Sequence, residues 1–135
     1  LELFYPIFIR RYALREDSEG PGRFRGGLGM IREIQFLTDA SFAVMSDRQK
    51  FKPWGVGGGG EAAGTEYFLI SGPEKIPLKT KTTGRAKPGD TLVMHSSGGG
   101  GYGDPRKRSR EMIRRDLEDG KISLERARKV YGWEE

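Results

Sequence analysis

Apolar and polar residues alternate in several separate runs within residues 5–95, which is the period of β-strands that bury one face. In residues 28–37, for example, Met30, Ile34 and Phe36 fall on one side of the expected strand. The pattern predicts about six strands. We expect the second and third to pair as an antiparallel hairpin across the turn at residues 38–40. The six cover residues 5–15, 28–37, 41–45, 65–70, 75–82 and 90–95.

Residues 105–135 change to a helical period. Asp104 and Pro105 suit the start of a helix, and Gly120 suits its end. Ser123 suits the start of a second helix, which Gly132 ends. We therefore expect a mainly β fold: an antiparallel β-sandwich or barrel over residues 1–104, rich in glycine loops. A C-terminal helical hairpin over residues 105–135 would pack on it, as in α+β proteins.

Glycine is concentrated in three segments, residues 20–27, 51–60 and 98–105, and makes up 21 of the 135 residues. Ordering glycine costs more backbone entropy than ordering any other residue, so the segments indicate close approach to backbone. The last segment lies between a predicted strand and a predicted helix start, an arrangement that can direct N–H groups toward an anion. A ligand-facing role and a purely conformational role fit this pattern equally well. The segment lacks the Gly-Lys-Ser/Thr ending of a Walker loop.

Side chains within the glycine segments give the candidate site residues. Arg23 and Arg25 flank Phe24, and guanidinium groups bind carboxylate or phosphate. Trp54 offers a wall for a planar ring, and Tyr102 adds a hydroxyl and a ring among glycines. Solvated loop charges and loop-anchoring aromatics are the alternative interpretation. The substrate- or phosphate-proximal candidates are Arg23, Arg25, Trp54, Gly57, Gly58, Gly99, Gly100, Gly101 and Tyr102.

The chain has no cysteine and a single histidine, His95. Disulfides, thiolate metal sites and a cysteine nucleophile are therefore excluded, and one histidine cannot build a multi-histidine metal site. We assign no metal ligand and no catalytic nucleophile, since His95 has no serine and carboxylate spaced as a triad. The lack of cysteine suits a reducing cytosol, so we expect a cytoplasmic location. No apolar run approaches the roughly 20 residues needed to cross a bilayer, and we expect no membrane partner.

The net charge is +5, and its distribution decides whether nucleic acid is an expected partner. Residues 1–104 are close to balanced, whereas residues 105–135 carry 10 basic and 7 acidic side chains. The basic run at residues 106–110 suits an acidic partner surface, RNA or a solvated helix face. We expect its cations to point outward, and nucleic acid is the least favoured partner.

Several blocks, taken in order, resemble the C-terminal part of the hydantoinase B/oxoprolinase family. They are residues 11–18, 20–29, 32–33, 51–55, 98–105, 116–120 and 131–132. The set covers essentially the whole chain, and the ordered combination is far more specific than any one glycine segment. We expect the chain to be the C-terminal part of a larger subunit, because only the tail of a typical family subunit is present.

The resemblance implies an enzyme subunit that opens a cyclic amide, such as N-methylhydantoin or 5-oxoproline, in an ATP-dependent reaction. Implied partners are an ATP-using hydantoinase A-type subunit or domain and the remainder of the chain's own subunit. ATP and Mg²⁺ are implied for the partner and no cofactor for this chain, which is then inactive when isolated. Two alternatives stay open: a domain of a related ATP-dependent ketone carboxylase subunit, and a purely structural or assembly domain.

Overall fold

A computed structural model describes residues 1–134. Its strands are β1 (Ile7–Leu14), β2 (Met30–Phe36), β3 (Ala40–Met45), β4 (Glu66–Ser71), β5 (Glu74–Leu78), β6 (Lys81–Ala86) and β7 (Thr91–His95). Five of them form an open antiparallel sheet in the order β1–β2–β7–β4–β5, and β3 and β6 form a separate two-stranded ribbon. Because β1 and β5 are edges, the sheet formed within residues 1–134 is not a closed barrel.

The ribbon packs on one face of the five-stranded sheet. Phe36 of β2 stacks on Phe42 of β3 with ring centroids 6.1 Å apart, which joins the two layers. This packing confirms the expected mainly β, antiparallel fold in its sandwich form. The buried residues of this core are Phe36, Val44, Leu69, Ala86 and Leu92.

The single strand predicted for residues 75–82 is wrong, because the structure divides it between two layers. Strand β5 ends at Leu78 and pairs with β4, whereas β6 begins at Lys81 and pairs with β3. Between them, the Thr80 carbonyl accepts a hydrogen bond from the N–H of Ser46 (2.8 Å). The chain therefore crosses from the sheet to the ribbon there, while the alternation of apolar and polar residues continues without a break.

The predicted hairpin between β2 and β3 is also wrong, since β3 pairs with β6. Both edges of β2 are already occupied, by β1 on one side and β7 on the other. The pairing extends past the end of β2, where the N–H of Leu37 donates to the carbonyl of Pro6 and that of Phe36 to Asp90. The strand that follows must therefore leave the sheet and find a partner elsewhere.

The C-terminal residues form short helices with their own small core. A 3₁₀ turn, Pro105–Lys107, precedes α1 (Arg110–Glu118), and α2 (Leu124–Arg126) continues into a π-helical turn, Ala127–Tyr131. The cap at Ser123 and the left-handed Gly120 and Gly132 lie where they were expected. The expected helix start at Asp104 and Pro105 is wrong for α1, because Asp104 caps only the 3₁₀ turn, the chain is extended at Arg108, and Ser109 caps α1. The buried apolar residues of this second core are Ile113, Ile122, Ala127 and Tyr131.

The three glycine-rich segments lie side by side, and we call this arrangement the glycine bundle (residues 18–27, 54–63 and 98–103). Residues 98–103 run through its middle. The N–H of Gly99 donates to the carbonyl of Gly27 on one side (2.9 Å), and that of Gly101 donates to Gly60 on the other (3.0 Å). The outer segments also meet, since the N–H of Gly60 donates to Pro21 (2.7 Å). The backbone groups of the segments therefore satisfy one another without forming a regular sheet.

Contacts in the bundle are too close for side chains. A Cβ atom at Gly100 would lie under 3.0 Å from the carbonyl oxygen of Trp54, and one at Gly101 would lie equally close to that of Pro21. A Cβ atom at Gly99 would meet backbone at 3.2 Å, a milder conflict. The conformational interpretation of the glycines thus accounts for the middle segment, where one backbone lies directly against another.

We predict that Gly100→Ala lowers the free energy of unfolding by about 2 kcal/mol or more, because neither backbone segment can move without breaking bundle hydrogen bonds. Gly27→Ala is the matched control: Gly27 is exposed, and no atom lies within 4 Å of the added methyl group. Its stability should stay within about 0.5 kcal/mol of wild type. The measurement is denaturant unfolding of both variants, and equal stabilities would contradict the close-contact account.

Candidate functional site

The exposed edge of the glycine bundle brings apolar and aromatic side chains together. Tyr102 forms an antiparallel bridge with Phe24 and a parallel bridge with Val56, so that the middle segment joins both outer ones at this point. The Phe24 and Tyr102 rings are stacked with centroids 6.5 Å apart. All three side chains are more than half exposed. Exposed apolar side chains on a well-ordered backbone are suited to contact a ligand or a partner protein.

Two of the predicted glycines shape this surface from the side. Gly57 and Gly58 both have positive φ, at 59° and 93°, which lets the chain turn directly beside Tyr102. A methyl group at Gly57 would lie 3.3 Å from the tyrosine ring. Predicted residues Gly57, Gly58 and Tyr102 are therefore neighbours in space, although they lie far apart in the sequence.

Arg23 lies on the same edge and is the cation of the surface. Its guanidinium carbon is 5.5 Å from the centroid of the Phe24 ring, a cation–π contact at an exposed position. Within residues 1–134, no carboxylate lies close enough to form an ion pair with it. Its charge is therefore available to an anion or to a polarised carbonyl oxygen.

Trp54 lies next to this surface because it is two residues before Val56, which bridges Tyr102. Its side chain is 67% exposed, and the Arg48 guanidinium lies 5.3 Å from its ring centroid. Its carbonyl oxygen faces Gly100 inside the bundle, so the backbone beneath the ring is fixed. The backbone of Trp54 is thus fixed while its ring is exposed. The predicted residues Gly99, Gly100 and Gly101 lie inside the glycine bundle and not on this surface.

Arg25 lies apart from this surface. It turns toward the helices and binds both carboxylate oxygens of Asp116, through Nε at 2.9 Å and Nη2 at 2.8 Å. Arg108 binds the same carboxylate at 2.8 Å. Burial opposes ionisation of Asp116, but the hydrogen bonds and charges of the two arginines outweigh it and lower the pKa of this carboxyl.

This ion-pair cluster corrects one expectation from the sequence. The cations of residues 106–110 were expected to point outward, but the Arg108 side chain is only 7% exposed because Asp116 draws it inward. Asp116 itself is 3% exposed. Nothing in the local sequence distinguishes it from the exposed acidic residues near it in the same helix. Burial of both partners is a tertiary property that helical periodicity alone does not reveal.

A second buried carboxylate, Glu19, also ties the helices to the bundle. Glu19 is fully buried and accepts hydrogen bonds from Arg126 Nε (2.6 Å) and from the hydroxyl of Tyr131 (2.9 Å). Burial and the negative charge of Glu19 raise the pKa of Tyr131. The nearby Asp17 accepts a hydrogen bond from the N–H of Ser123. Residues 17–25 are therefore the joint between the β region and the helices.

His95 belongs to a polar cluster at the end of β7 and forms no catalytic triad. Its Nδ1 lies 3.6 Å from a Glu66 carboxylate oxygen, which also binds Arg15 at 3.1 Å. Burial, and next the charge of Arg15, lower the pKa of His95, so that it is neutral near pH 7. The hydroxyl of Ser96 accepts a hydrogen bond from the N–H of Met30. This contact gives Ser96 a structural partner in place of a base.

The backbone amides that were expected to meet phosphate are already paired within the protein. Within residues 1–134, no three His, Asp or Glu side chains come together in a way that could hold a metal ion. The N–H groups of Gly99 and Gly101, which could have met phosphate, donate to backbone carbonyls instead. In the same part of the chain, no helix is both long and apolar enough to span a membrane.

In sequence, the chain is similar to a group of large enzymes and enzyme subunits. The hydantoinase B/oxoprolinase family profile matches residues 1–105. The B-type subunit of a putative D-/L-hydantoinase from Pseudomonas sp. (strain NS671) is 38% identical over 98% of this chain and 23% of its own length. The 5-oxoprolinase of Dictyostelium discoideum is 32% identical over 76% of this chain and 8% of its own length.

Two solved structures share the fold. The crystal structure of the ATP-dependent caprolactamase from Pseudomonas jessenii superposes with a TM-score of 0.83 and 32% identity, over 98% of this chain and 24% of that one. A nucleotide-free acetone carboxylase superposes with a TM-score of 0.73 and 22% identity, over 97% of this chain and 22% of that one. The second likeness concerns the fold alone. The chain thus spans 22–24% of these two proteins.

We predict that Asp116→Asn destabilises the protein by about 3 kcal/mol at pH 7, because Arg25 and Arg108, both largely shielded from solvent, lose their shared carboxylate. Since the folded pKa of Asp116 lies below its ordinary value of 3.8, its contribution is present above that pH and disappears as the pH falls through the folded pKa. The difference from wild type in unfolding free energy should therefore shrink in acid. Glu118→Gln, at an exposed position of the same helix, should change little; equal effects of the two substitutions would refute the cluster.

Proposed function

The chain belongs to the hydantoinase B/oxoprolinase family, and we propose that it is the C-terminal domain of a subunit that opens cyclic amides in an ATP-dependent reaction with a partner subunit. The observation that carries this proposal is the similarity along nearly the whole chain to a hydantoinase subunit and to a caprolactamase. Those names, and that of the 5-oxoprolinases, all refer to molecules with an amide bond inside a ring.

The partner subunit in this proposal supplies the nucleotide chemistry. Two relatives are each one subunit of an enzyme, namely the B-type hydantoinase subunit and the beta subunit of the caprolactamase. The caprolactamase is also described as ATP-dependent. Since the N–H groups of Gly99 and Gly101 donate to backbone carbonyls and are not free to meet phosphate, we assign ATP and Mg²⁺ to an A-type partner. A cytoplasmic location would give the enzyme access to both.

The exposed edge of the glycine bundle is the part of the chain that we propose to face the substrate. Arg23 supplies a cation without a carboxylate partner among the described residues, and Tyr102 supplies a hydroxyl beside it. A substrate oxygen that gains negative charge would be stabilised by such groups. Gly57 and Gly58 leave room for close approach, and Trp54 would border the substrate ring. Arg25 is excluded from this role because it binds Asp116.

A purely structural role is the second candidate for part of the chain. The observation that favours it is the interlocked middle segment, in which Gly100 and Gly101 lie against backbone on both sides. In that case the bundle would fix the shape of the subunit, and catalysis would lie wholly outside residues 1–134. Ketone carboxylation is the less favoured alternative, because the acetone carboxylase shares only the fold at 22% identity.

The test is turnover by the complete subunit that carries this chain, assayed with its partner subunit and Mg·ATP. We expect ADP release coupled to opening of hydantoin, 5-oxoproline or caprolactam, and no activity from residues 1–135 alone. The Arg23→Ala variant of the complete enzyme should lose about 10-fold or more in turnover while its melting temperature stays unchanged.

Two outcomes would contradict the proposal. The first is bicarbonate-dependent consumption of acetone without cleavage of any cyclic amide, which would promote the carboxylase alternative. The second is full turnover by the Arg23→Ala enzyme, which would move the substrate away from the bundle edge and favour the structural role.

A further inference from the structure

A basic surface lies beside the proposed site, at residues 46–54 and 78–81, and the two share Trp54, whose ring contacts the Arg48 guanidinium. The two segments are held together by backbone and side-chain hydrogen bonds. The N–H of Ser46 donates to the Thr80 carbonyl (2.8 Å), and the Gln49 side-chain amide donates to the Leu78 carbonyl (3.1 Å). We call their cations the basic patch: Arg48, Lys50, Lys52, Lys79 and Lys81, all exposed.

The basic patch stands out against the charge of the remaining β region. Residues 46–54 and 78–81 carry five cations and a single acid, Asp47. Without them, residues 1–104 would have two more acidic than basic side chains, whereas with them the same residues have two more basic ones. Weak pairs join Lys81 to Asp47 and Lys52 to Glu61, each at 3.9 Å between exposed groups. Such pairs neutralise little of the surface potential.

The C-terminal helices carry more cations but use many of them internally. Arg108 binds Asp116 and Arg126 binds Glu19. Lys129 pairs with Glu125 one helical turn away, as Arg115 does with Glu111. Arg106 and Arg110 donate to the carbonyls of Lys129 and Glu134. The basic patch is therefore a better docking surface for an acidic partner than the basic run that the sequence had suggested.

Exposed apolar side chains are interleaved with the basic patch. Phe51 is 73% exposed and Met45 is 85% exposed. The Lys50 ammonium group lies 5.5 Å from the centroid of the Phe51 ring, and the Arg48 guanidinium lies over Trp54. Aromatic residues, methionine and arginine are enriched in protein–protein interfaces, where a few of them carry most of the binding energy.

The backbone of the patch is held in an uncommon conformation. Arg48 has a φ of 65°, which is rare for a long side chain and persists only where the surroundings enforce it. Its carbonyl accepts a hydrogen bond from the N–H of the buried Thr65 (3.0 Å), which fixes this turn. The structure therefore holds Arg48 exposed within the patch, with its guanidinium over Trp54.

We propose that the basic patch docks on an acidic surface of the ATP-using partner subunit. The identity of that partner rests on the proposed function, whereas the charge and apolar content of the surface do not. A partner protein fits better than RNA because the exposed apolar side chains of Phe51, which follows Lys50, and Met45, which pairs with Lys81 in the ribbon, lie among the cations, a mixture common in protein interfaces. The patch would also steer association of the subunits at low salt.

The experiment measures the dissociation constant between the complete subunit and its purified partner from about 50 to 300 mM salt, a range over which electrostatic screening rises from weak to strong. The variant Arg48→Gln/Lys50→Gln/Lys52→Gln should bind about 30-fold more weakly at the lowest salt and show a flatter salt dependence. The matched control removes three exposed cations elsewhere, Lys87→Gln/Lys107→Gln/Arg114→Gln, and should stay within about threefold of wild type.

If the triple variant fails to fold, Lys79→Gln/Lys81→Gln and Phe51→Ala take its place, each with an expected loss of about 10-fold in affinity.

Equal affinities of the patch and control variants would overturn the inference. So would a patch variant that keeps its partner but loses binding to a single-stranded RNA oligonucleotide, which would identify RNA as the ligand. Because association is measured without turnover, failure of cyclic-amide hydrolysis with intact salt-dependent association would overturn only the proposed function.

Discussion

Direct contact between the backbones of three glycine-rich segments is the constraint on which the rest of the structure depends. Residues 98–103 follow the last strand of the sheet and pass between residues 18–27 and 54–63, with hydrogen bonds to both. Any side chain at Gly100 or Gly101 would overlap a neighbouring carbonyl group. Ordering the glycines costs conformational entropy, which the hydrogen bonds and close packing of the backbone offset. The exposed side chains of Phe24, Trp54 and Tyr102 project from this ordered backbone.

Ion pairs between charged side chains connect the glycine bundle to the helices. The helices are short and bury few apolar residues, so packing of their own small core leaves them marginal. Glu19 and Asp116 are each nearly or fully buried and are matched by arginines across the joint. Removing either carboxylate would leave a largely shielded arginine without its partner, which makes the joint specific as well as strong. The same pairing withdraws Arg25 from the surface and leaves Arg23 as the cation of the proposed site.

The period of the sequence was enough to predict a mainly antiparallel β fold, the helix cap at Ser123 and the final glycine stops, but it did not predict that α1 begins only after Ser109. It was not enough to predict where the chain crosses from sheet to ribbon at Thr80, since alternation continues there. Glycine content indicated close backbone approach but not that the segments approach one another. The sequence pattern placed Arg23 and Arg25 in the same candidate site. In the structure, Arg25 binds the buried Asp116, and only Arg23 lies at the exposed edge of the bundle. Such burial depends on contacts between distant segments, which local patterns do not encode.

Amide hydrogen exchange in residues 98–103 tests this account most directly. If the bundle is a rigid core, the N–H groups of Gly99, Gly101 and Gly103 should exchange as slowly as those of strand β7, because each donates to a bundle carbonyl. The exposed Gly72, at a turn with positive φ, provides the reference for a weakly protected glycine. Exchange of the bundle amides at the rate of this turn would contradict the central claim that backbone contact holds the segments together.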